Sequence, residues 1–71
     1  MDEIATGNNL KLARVAKDLT QQQLAGLVGV TRQTIGLIEA NKYNPTIKLC
    51  LLLAQATDKS LDELFWIKGE Q

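Results

Sequence analysis

Three consecutive polar residues, Arg32, Gln33 and Thr34, carry the side chains of this sequence with the most specific chemistry. An arginine side chain donates two parallel hydrogen bonds, which match the N7 and O6 acceptors of guanine, and a glutamine side chain matches the N7 and N6 groups of adenine. A threonine offers a methyl group to thymine or a hydroxyl group to a phosphate. Reading base edges in this way requires a rigid element that holds the three side chains away from the protein core.

Residues 20–38, TQQQLAGLVGVTRQTIGLI, have the pattern of two short helices joined by a tight turn. Thr20 and Gln23 have the spacing of a capping box at the start of the first helix. Gly29 can take the left-handed backbone conformation that ends this helix, and Thr31 is placed to cap the next helix. Because the connection is so short, the pattern predicts a sharp angle between the helices and therefore a helix-turn-helix unit.

Apolar residues recur at helical spacing, which predicts that each helix buries one face. The residues expected to face the core are Leu10, Ala13, Leu24, Leu27, Val28, Ile35 and Ile38. The segment KLCLLLAQA is almost wholly apolar and is therefore predicted to form a central helix. Cys50 lies within it and is expected to be a small buried core residue.

The chain resembles the Cro/C1-type (Xre-like) helix-turn-helix DNA-binding proteins over about residues 9–66. The residues that carry the resemblance are Leu10, Arg14, Leu19, Thr20, Gln21, Leu24, Ala25, Gly29, Val30, Thr31, Arg32, Gln33, Thr34, Ile35, Ile38, Glu39, Lys42, Tyr43, Asn44 and Pro45. The resemblance implies an all-α, five-helix, lambda-repressor-like domain that comprises residues 1–71. Its third helix, the recognition helix, would enter the DNA major groove. The alternative is a five-helix bundle with no nucleic-acid role.

The caps and apolar segments place the five helices at about residues 9–17, 21–28, 32–40, 47–56 and 61–65. Asn8 or Asn9 is expected to cap the first helix and Thr46 the fourth, while Ser60 and Glu63 have the spacing of a second capping box. Asp18 is expected to take the left-handed conformation. Some members of the family also pair short strands from the two chain ends, and residues 64–68 are the candidate for the C-terminal strand.

The resemblance also implies which side chains contact DNA. Base contacts are expected from Arg32, Gln33, Thr34 and Leu37, the leucine against thymine methyl groups. Phosphate contacts are expected from Gln21, Thr31, Asn41, Lys42 and Tyr43. Thr31 is divided between this role and capping, and Gln21, at a helix N-terminus that favours anions, is also expected to support a residue at the start of the recognition helix.

An ion pair between Arg14 and Glu39 is implied by the same resemblance, with a structural role. Such a pair ties the first helix to the end of the recognition helix. A partly buried pair adds little net stability, but the loss of one partner leaves an unpaired charge. Neither residue is counted as a DNA ligand.

The C-terminal residues Leu64, Phe65, Trp66 and Ile67 are predicted to form a homodimer interface. A helix cannot bury three successive bulky residues on one face, so at least one of the last three should be exposed and available to a protein partner. A two-fold DNA site also requires a two-fold protein. The alternative is that these residues close the core of a single protomer.

Composition limits the classes of function. The net charge of the 71 residues is zero, yet residues 11–48 carry six basic and two acidic side chains, so that the middle is basic and both ends are acidic. With no histidine and one cysteine, neither a usual zinc site nor an internal disulfide is expected. The N-terminus is not signal-like and no apolar stretch could span a membrane, so we expect a cytoplasmic protein. No cofactor and no metal are expected either.

These features together predict a sequence-specific, dimeric transcriptional regulator that binds double-stranded DNA. It would act as a repressor by occupying its site, without a small-molecule effector, because no second domain is expected. Enzymatic activity is not expected, since the sequence has no catalytic constellation. Two alternatives stay open: an antitoxin-like module with a protein toxin as its partner and autoregulatory DNA binding, and a bundle that binds only proteins.

Overall fold

The computed structural model describes residues 6–68, which form five α-helices and two short strands. In chain order the elements are β1 (Thr6–Asn8), α1 (Leu10–Ala16), α2 (Gln21–Val28), α3 (Arg32–Glu39), α4 (Ile47–Thr57), α5 (Leu61–Leu64) and β2 (Phe65–Ile67). The predicted fold class is confirmed, including the strand pair. The predicted helix ends agree with the observed ends to within about one residue, which is the usual uncertainty of a helix boundary.

Side-chain caps determine where four of the helices begin. Thr20 and Ser60 form the two predicted capping boxes, and the Thr31 and Thr46 hydroxyls accept from the backbone N–H groups three residues on. In the second capping box, hydrogen bonds from the backbone and side chain of Ser60 hold the pKa of Glu63 below its usual value. These local interactions satisfy N–H groups that have no partner within the helix.

The start of α1 is different. Asn9 occupies the N-cap position but makes no side-chain cap bond. Instead, the Asn8 side chain accepts from the Leu10 N–H at 3.1 Å. Of the two predicted candidates, Asn8 therefore supplies the hydrogen bond and Asn9 the backbone position.

Left-handed residues form the corners between helices. Gly29 has φ 78° and Asp18 has φ 58°, as predicted. The N–H groups of Gly29 and Val30 both donate to the Ala25 carbonyl, and these bonds turn the chain directly into α3. Asn41 adopts φ 63° after α3, a conformation that asparagine tolerates better than most residues.

The core is formed by aliphatic side chains from all five helices: Leu10, Ala13, Leu24, Ala25, Val28, Ile35, Ile38, Leu49, Leu53 and Leu64. The prediction was wrong for Leu27, which is 62% exposed. At about 100° per residue, the buried arc of α2 runs through Leu24, Ala25 and Val28 and leaves Leu27 outside it. Ala25 lies in that arc because a small side chain lets the neighbouring elements approach.

The α4 helix is less central than its composition indicates. Leu49 and Leu53 are buried, but Ile47 is 70% and Leu51 is 53% exposed. Cys50 is only half-buried, contrary to the prediction of a buried core residue, and its burial raises the pKa of its thiol. The helix therefore buries one face and leaves a second apolar face open.

The two strands pair antiparallel, with Thr6 opposite Ile67, Gly7 opposite Trp66 and Asn8 opposite Phe65. A Cβ atom at Gly7 would lie 2.5 Å from Nε1 and 2.9 Å from Cε2 of Trp66, so the close packing of the indole requires glycine at this position. Helix α5 ends at Leu64 because Phe65 is already extended. The pairing depends on backbone hydrogen bonds, which explains why the polar sequence of β1 does not prevent it.

Candidate nucleic-acid interface

The α2–turn–α3 unit presents the first turn of α3 at the protein surface. Arg32 and Gln33 are both exposed, whereas Ile35 and Ile38 on the opposite face are buried. The apolar residues anchor the helix, and the two polar side chains extend from a fixed backbone. This is the arrangement that major-groove reading needs.

Thr34 and Thr31 are engaged with each other. The Thr31 hydroxyl accepts from the Thr34 N–H at 3.2 Å, and the two hydroxyl oxygens are 3.0 Å apart. Thr31 is exposed and Thr34 is half-buried. Capping is therefore the observed role of Thr31, and the methyl group of Thr34 is the part of that side chain left free for an apolar contact.

Arg14 and Glu39 form an ion pair between α1 and the end of α3. The Arg14 Nε atom donates to Glu39 Oε2 at 2.7 Å, and the two side chains are 11% and 7% exposed. The Arg14 guanidinium also donates to the Leu19 carbonyl at 2.8 Å. One arginine thus connects α1, the loop that follows it and α3.

Gln21 extends this connection to Arg32. Its Nε2 donates to Glu39 Oε1 at 3.0 Å, and its Oε1 accepts from Arg32 Nη1 at 3.4 Å. Because Glu39 is itself held by Arg14, the side chains form a continuous series from α1 to the first residue of α3. Gln21 therefore contacts Arg32 at the start of α3, the kind of support that the resemblance implies.

The loop after α3 carries three of the predicted phosphate ligands. Lys42 and Tyr43 are exposed, and the Lys42 N–H donates to the Leu37 carbonyl at 2.8 Å, which holds the loop against the helix. The Asn41 amide Nδ2 also donates to the Thr6 carbonyl, a contact that the sequence did not predict. An amide already bonded to β1 is less available to a phosphate than the other two side chains.

Sequence reasoning missed Asn8 as a residue of this region. Its Nδ2 donates to the Ile38 carbonyl at 2.9 Å, which joins β1 to the last turn of α3. The sequence gives no signal for this contact, because asparagine before a helix is explained fully by capping.

The next turn of α3 contains Gly36 and Leu37. Leu37 is 38% exposed, so part of its side chain can make an apolar contact. A Cβ atom at Gly36 would lie 3.7 Å from Gln21 Nε2, an ordinary contact distance. The protein itself therefore leaves room for a side chain at Gly36.

The C-terminal residues do not act as a group. Leu64 is fully buried in the core, so its assignment to a dimer interface was wrong: a second copy could not reach it. Phe65 is half-buried and packs against the same core. Trp66 and Ile67 remain 44% and 50% exposed, and they line a groove of about 370 Å³ together with Tyr43, Pro45 and Cys50, among others.

Comparison with known proteins agrees with this geometry. A family model described as helix-turn-helix matches residues 10–64. The chain belongs to the Cro/C1-type helix-turn-helix family. The match spans α1 to α5 and includes the whole α2–turn–α3 unit.

Relatives within the family are named as regulators. The uncharacterized HTH-type transcriptional regulator MJ0272 of Methanocaldococcus jannaschii is 41% identical over 64 residues, which cover 90% of this chain and 97% of that protein. The control protein C.SmaI of Serratia marcescens is 33% identical over 61 residues, covering 86% and 73%. The crystal structure of the restriction-modification controller protein C.AhdI from Aeromonas hydrophila matches with a TM-score of 0.70 at 37% identity, covering 76% of this chain and 78% of that one.

The chain is therefore a transcriptional regulator with a helix-turn-helix DNA-binding fold, in a family that binds double-stranded DNA. The names of these three relatives do not point to a toxin partner, so they give the antitoxin alternative no support. Among residues 6–68, no helix has the length and apolar character needed to cross a membrane.

Proposed function

We propose that this protein is a sequence-specific, dimeric transcriptional repressor that reads the DNA major groove with the first turn of α3. The observation that carries the proposal is the exposure of Arg32 and Gln33 on a helix whose opposite face is buried. Arg32 is also held by Gln21, which Glu39 and Arg14 hold in turn. A side chain that is already oriented loses less conformational entropy when it binds.

The base contacts follow from the chemistry of the exposed groups. Arg32 donates to a guanine and Gln33 pairs with an adenine, each bidentate contact being worth about 1–3 kcal/mol of discrimination. Thr34 and Leu37 contribute apolar contacts to thymine methyl groups. With two bidentate readers per subunit, a single subunit reads a short site.

The phosphate contacts surround this reading surface. Gln21 and Thr31 lie at the N-terminal ends of α2 and α3, where unpaired N–H groups favour an anion. Lys42 and Tyr43 supply an ammonium and a phenol group from the loop after α3. Gln21 contributes through its backbone N–H group, because its side-chain amide, like that of Asn41, is already bonded within the protein. Asn41 lies at no helix N-terminus and is therefore left out of this set.

Dimerisation through β2 completes the proposal. Trp66 and Ile67 are exposed beside an apolar groove, and a patch of this kind on both copies can form a two-fold interface. A dimer doubles the number of base and phosphate contacts, which matters for a chain whose net charge is zero. Two α3 helices related in this way read a palindromic site with half-sites about one helical turn apart.

Repression follows from occupancy of the DNA site. Residues 10–64 form the DNA-binding family domain, and a protein bound across a promoter excludes other proteins without a further activity. No observation on residues 6–68 favours a toxin partner or a purely protein-binding bundle over DNA binding.

Selection of bound fragments from random duplex DNA, at one stated salt concentration, tests the proposal. We expect a palindromic consensus with guanine and adenine at the positions nearest the N-termini of the two α3 helices. We also expect affinity to fall steeply as salt is added, because phosphate contacts release counterions. The proposal is wrong if the recovered fragments have no consensus sequence.

A further inference from the structure

We infer that Asn8 and Asn41 are positioning residues that fix the end of the recognition helix to the β1–β2 sheet, and thereby set the half-site spacing that the dimer accepts. The inference rests on the proposed function, since spacing has a meaning only for a dimer that reads two half-sites. It assigns to two asparagines a role in specificity that requires no contact with a base.

Asn8 connects three elements with one amide group. Its Oδ1 accepts from the Leu10 N–H at 3.1 Å, and its Nδ2 donates to the Ile38 carbonyl at 2.9 Å. Ile38 lies in the last turn of α3, where carbonyl groups lack partners within the helix. The Asn8 side chain therefore fixes the end of α3 relative to the start of α1 and to β1.

Asn41 makes the reciprocal connection from α3 to the strand. Its backbone N–H donates to the same Ile38 carbonyl at 2.9 Å, and its side-chain Nδ2 donates to the Thr6 carbonyl. The Thr6 hydroxyl donates to Asn41 Oδ1 at 3.4 Å. The left-handed backbone of Asn41, with φ 63°, turns the amide toward β1.

The other edge of β1 carries β2. Thr6 pairs with Ile67 and Asn8 pairs with Phe65 in β2, the strand that we assign to the dimer interface. On its other side, Asn8 contacts α3 and Thr6 contacts the loop after α3. The Asn9 N–H adds a hydrogen bond to the Leu64 carbonyl at 2.9 Å. These bonds form two short paths from the exposed Ile67 and its neighbours to the end of the reading helix.

In a symmetric dimer, the orientation of each α3 relative to β2 determines the distance between the two reading surfaces. Half-sites bound by such dimers lie about 34–36 Å apart, so a small rotation of α3 against the sheet changes the preferred spacing. We therefore expect loss of the two amide connections to relax the spacing preference while each subunit still recognises its half-site.

Two variants remove the connections selectively. Asn8→Ser keeps a hydroxyl oxygen that can accept from the Leu10 N–H but loses the amide donor to Ile38, and Asn41→Gly keeps the left-handed backbone but loses the amide. Asn9→Ala is the matched control, because the Asn9 side chain makes no cap hydrogen bond. The probes are duplexes that carry the selected palindrome with its natural spacer, the same duplexes with the spacer changed by one or two base pairs, and a single half-site.

The measured quantity is the affinity for the natural spacer divided by the affinity for an altered spacer. For each variant we expect this ratio to be about threefold to tenfold lower than for the wild type and for Asn9→Ala. This range corresponds to one net hydrogen bond. Affinity for the single half-site should stay within about twofold. The emission of the sole tryptophan, Trp66, reports whether the sheet is intact. If one variant does not fold, the other decides the question.

Two results would overturn the inference. The first is an unchanged spacer ratio in a folded variant, and the second is an equal loss of affinity on every duplex, the half-site included, which a merely structural role would produce. A wild-type protein without any consensus sequence would instead contradict the proposed function, and the inference with it.

Discussion

The amide of Gln21 lies between Glu39 and Arg32, and its hydrogen bond to the Glu39 carboxylate is 3.0 Å long. This bond determines which way the amide faces, because Nε2 must point to the carboxylate and Oε1 is then left for the Arg32 guanidinium. Gln21 on α2 thus orients Arg32 at the start of α3, and Gln21 is itself held by the carboxylate of Glu39 at the end of α3. The orientation of Arg32 depends on the packing of three helices.

Gln21→Ala should therefore weaken DNA recognition without unfolding the protein. The substitution frees Arg32, so we expect affinity for the selected site to fall at least about fivefold, equivalent to roughly one net hydrogen bond. Gln22→Ala, an exposed neighbour on the same helix, is the control. Equal effects of the two substitutions on binding would refute the role given to Gln21.

Arg14→Met should be strongly destabilising. Both partners of the Arg14–Glu39 pair are nearly buried, so the substitution leaves an unpaired carboxylate, at a cost of about 3–5 kcal/mol in the free energy of unfolding. The double variant Arg14→Met, Glu39→Leu should be more stable than Arg14→Met, because no charge is then left buried. Urea denaturation of both variants, with exposed Lys11→Met as the control, measures this difference. The interpretation fails if the double variant is no more stable than the single one.

Local chemistry explains why much of this fold could be predicted from the sequence. Thr20 with Gln23, and Ser60 with Glu63, satisfy helix N–H groups within four residues, so their spacing alone identifies the helix starts. Gly29 identifies the corner in the same way. Such signals depend on no distant part of the chain.

Features that depend on distant neighbours were harder to predict. Leu27 and Ile47 have the same apolar character as buried residues, and only the arrangement of the packed helices decides that they are exposed. Leu64 was wrongly assigned to an interface because α5 ends immediately after it, so that Leu64 faces the core and Trp66 does not. Asn8 and Asn41 make contacts 30 and 35 residues away, which no local pattern reveals.

Gly7→Ala and Gly26→Ala should have opposite effects on stability. A methyl group at Gly7 would collide with the Trp66 indole, whereas a methyl group at Gly26 meets no atom within 4 Å. We expect Gly7→Ala to displace the indole, lower the free energy of unfolding and shift the Trp66 emission to longer wavelength. Gly26→Ala should add about 0.5–1 kcal/mol, since alanine is the better residue within a helix. Unaltered emission in Gly7→Ala would mean that the indole does not pack on Gly7.

Ile67→Lys should weaken the proposed dimer and leave the protomer folded. Ile67 is half exposed in the protomer, so a lysine there can reach water, but in a dimer its charge would enter an apolar interface. Ile47→Lys is the matched control, because Ile47 is even more exposed and lies on α4. Sedimentation equilibrium should show at least about a tenfold weaker association for Ile67→Lys alone, the effect of about 1.4 kcal/mol. The assignment of the interface to β2 is wrong if both variants associate as the wild type does.

The central claim is that the first turn of α3 reads bases. The most direct test measures the affinities of the wild type and of Arg32→Ala for two kinds of DNA: the selected duplex, and duplexes changed at one base pair in each half-site. We predict that the wild type binds a duplex with its guanine replaced more weakly than the selected duplex, by about 1–3 kcal/mol per contact. Arg32→Ala should lose this difference at the guanine position and at no other position. Lys59→Ala, on the loop before α5, should retain it. If Arg32→Ala kept the wild-type preference at every position, or lost affinity for all duplexes equally, the account of α3 as the reading helix would be contradicted.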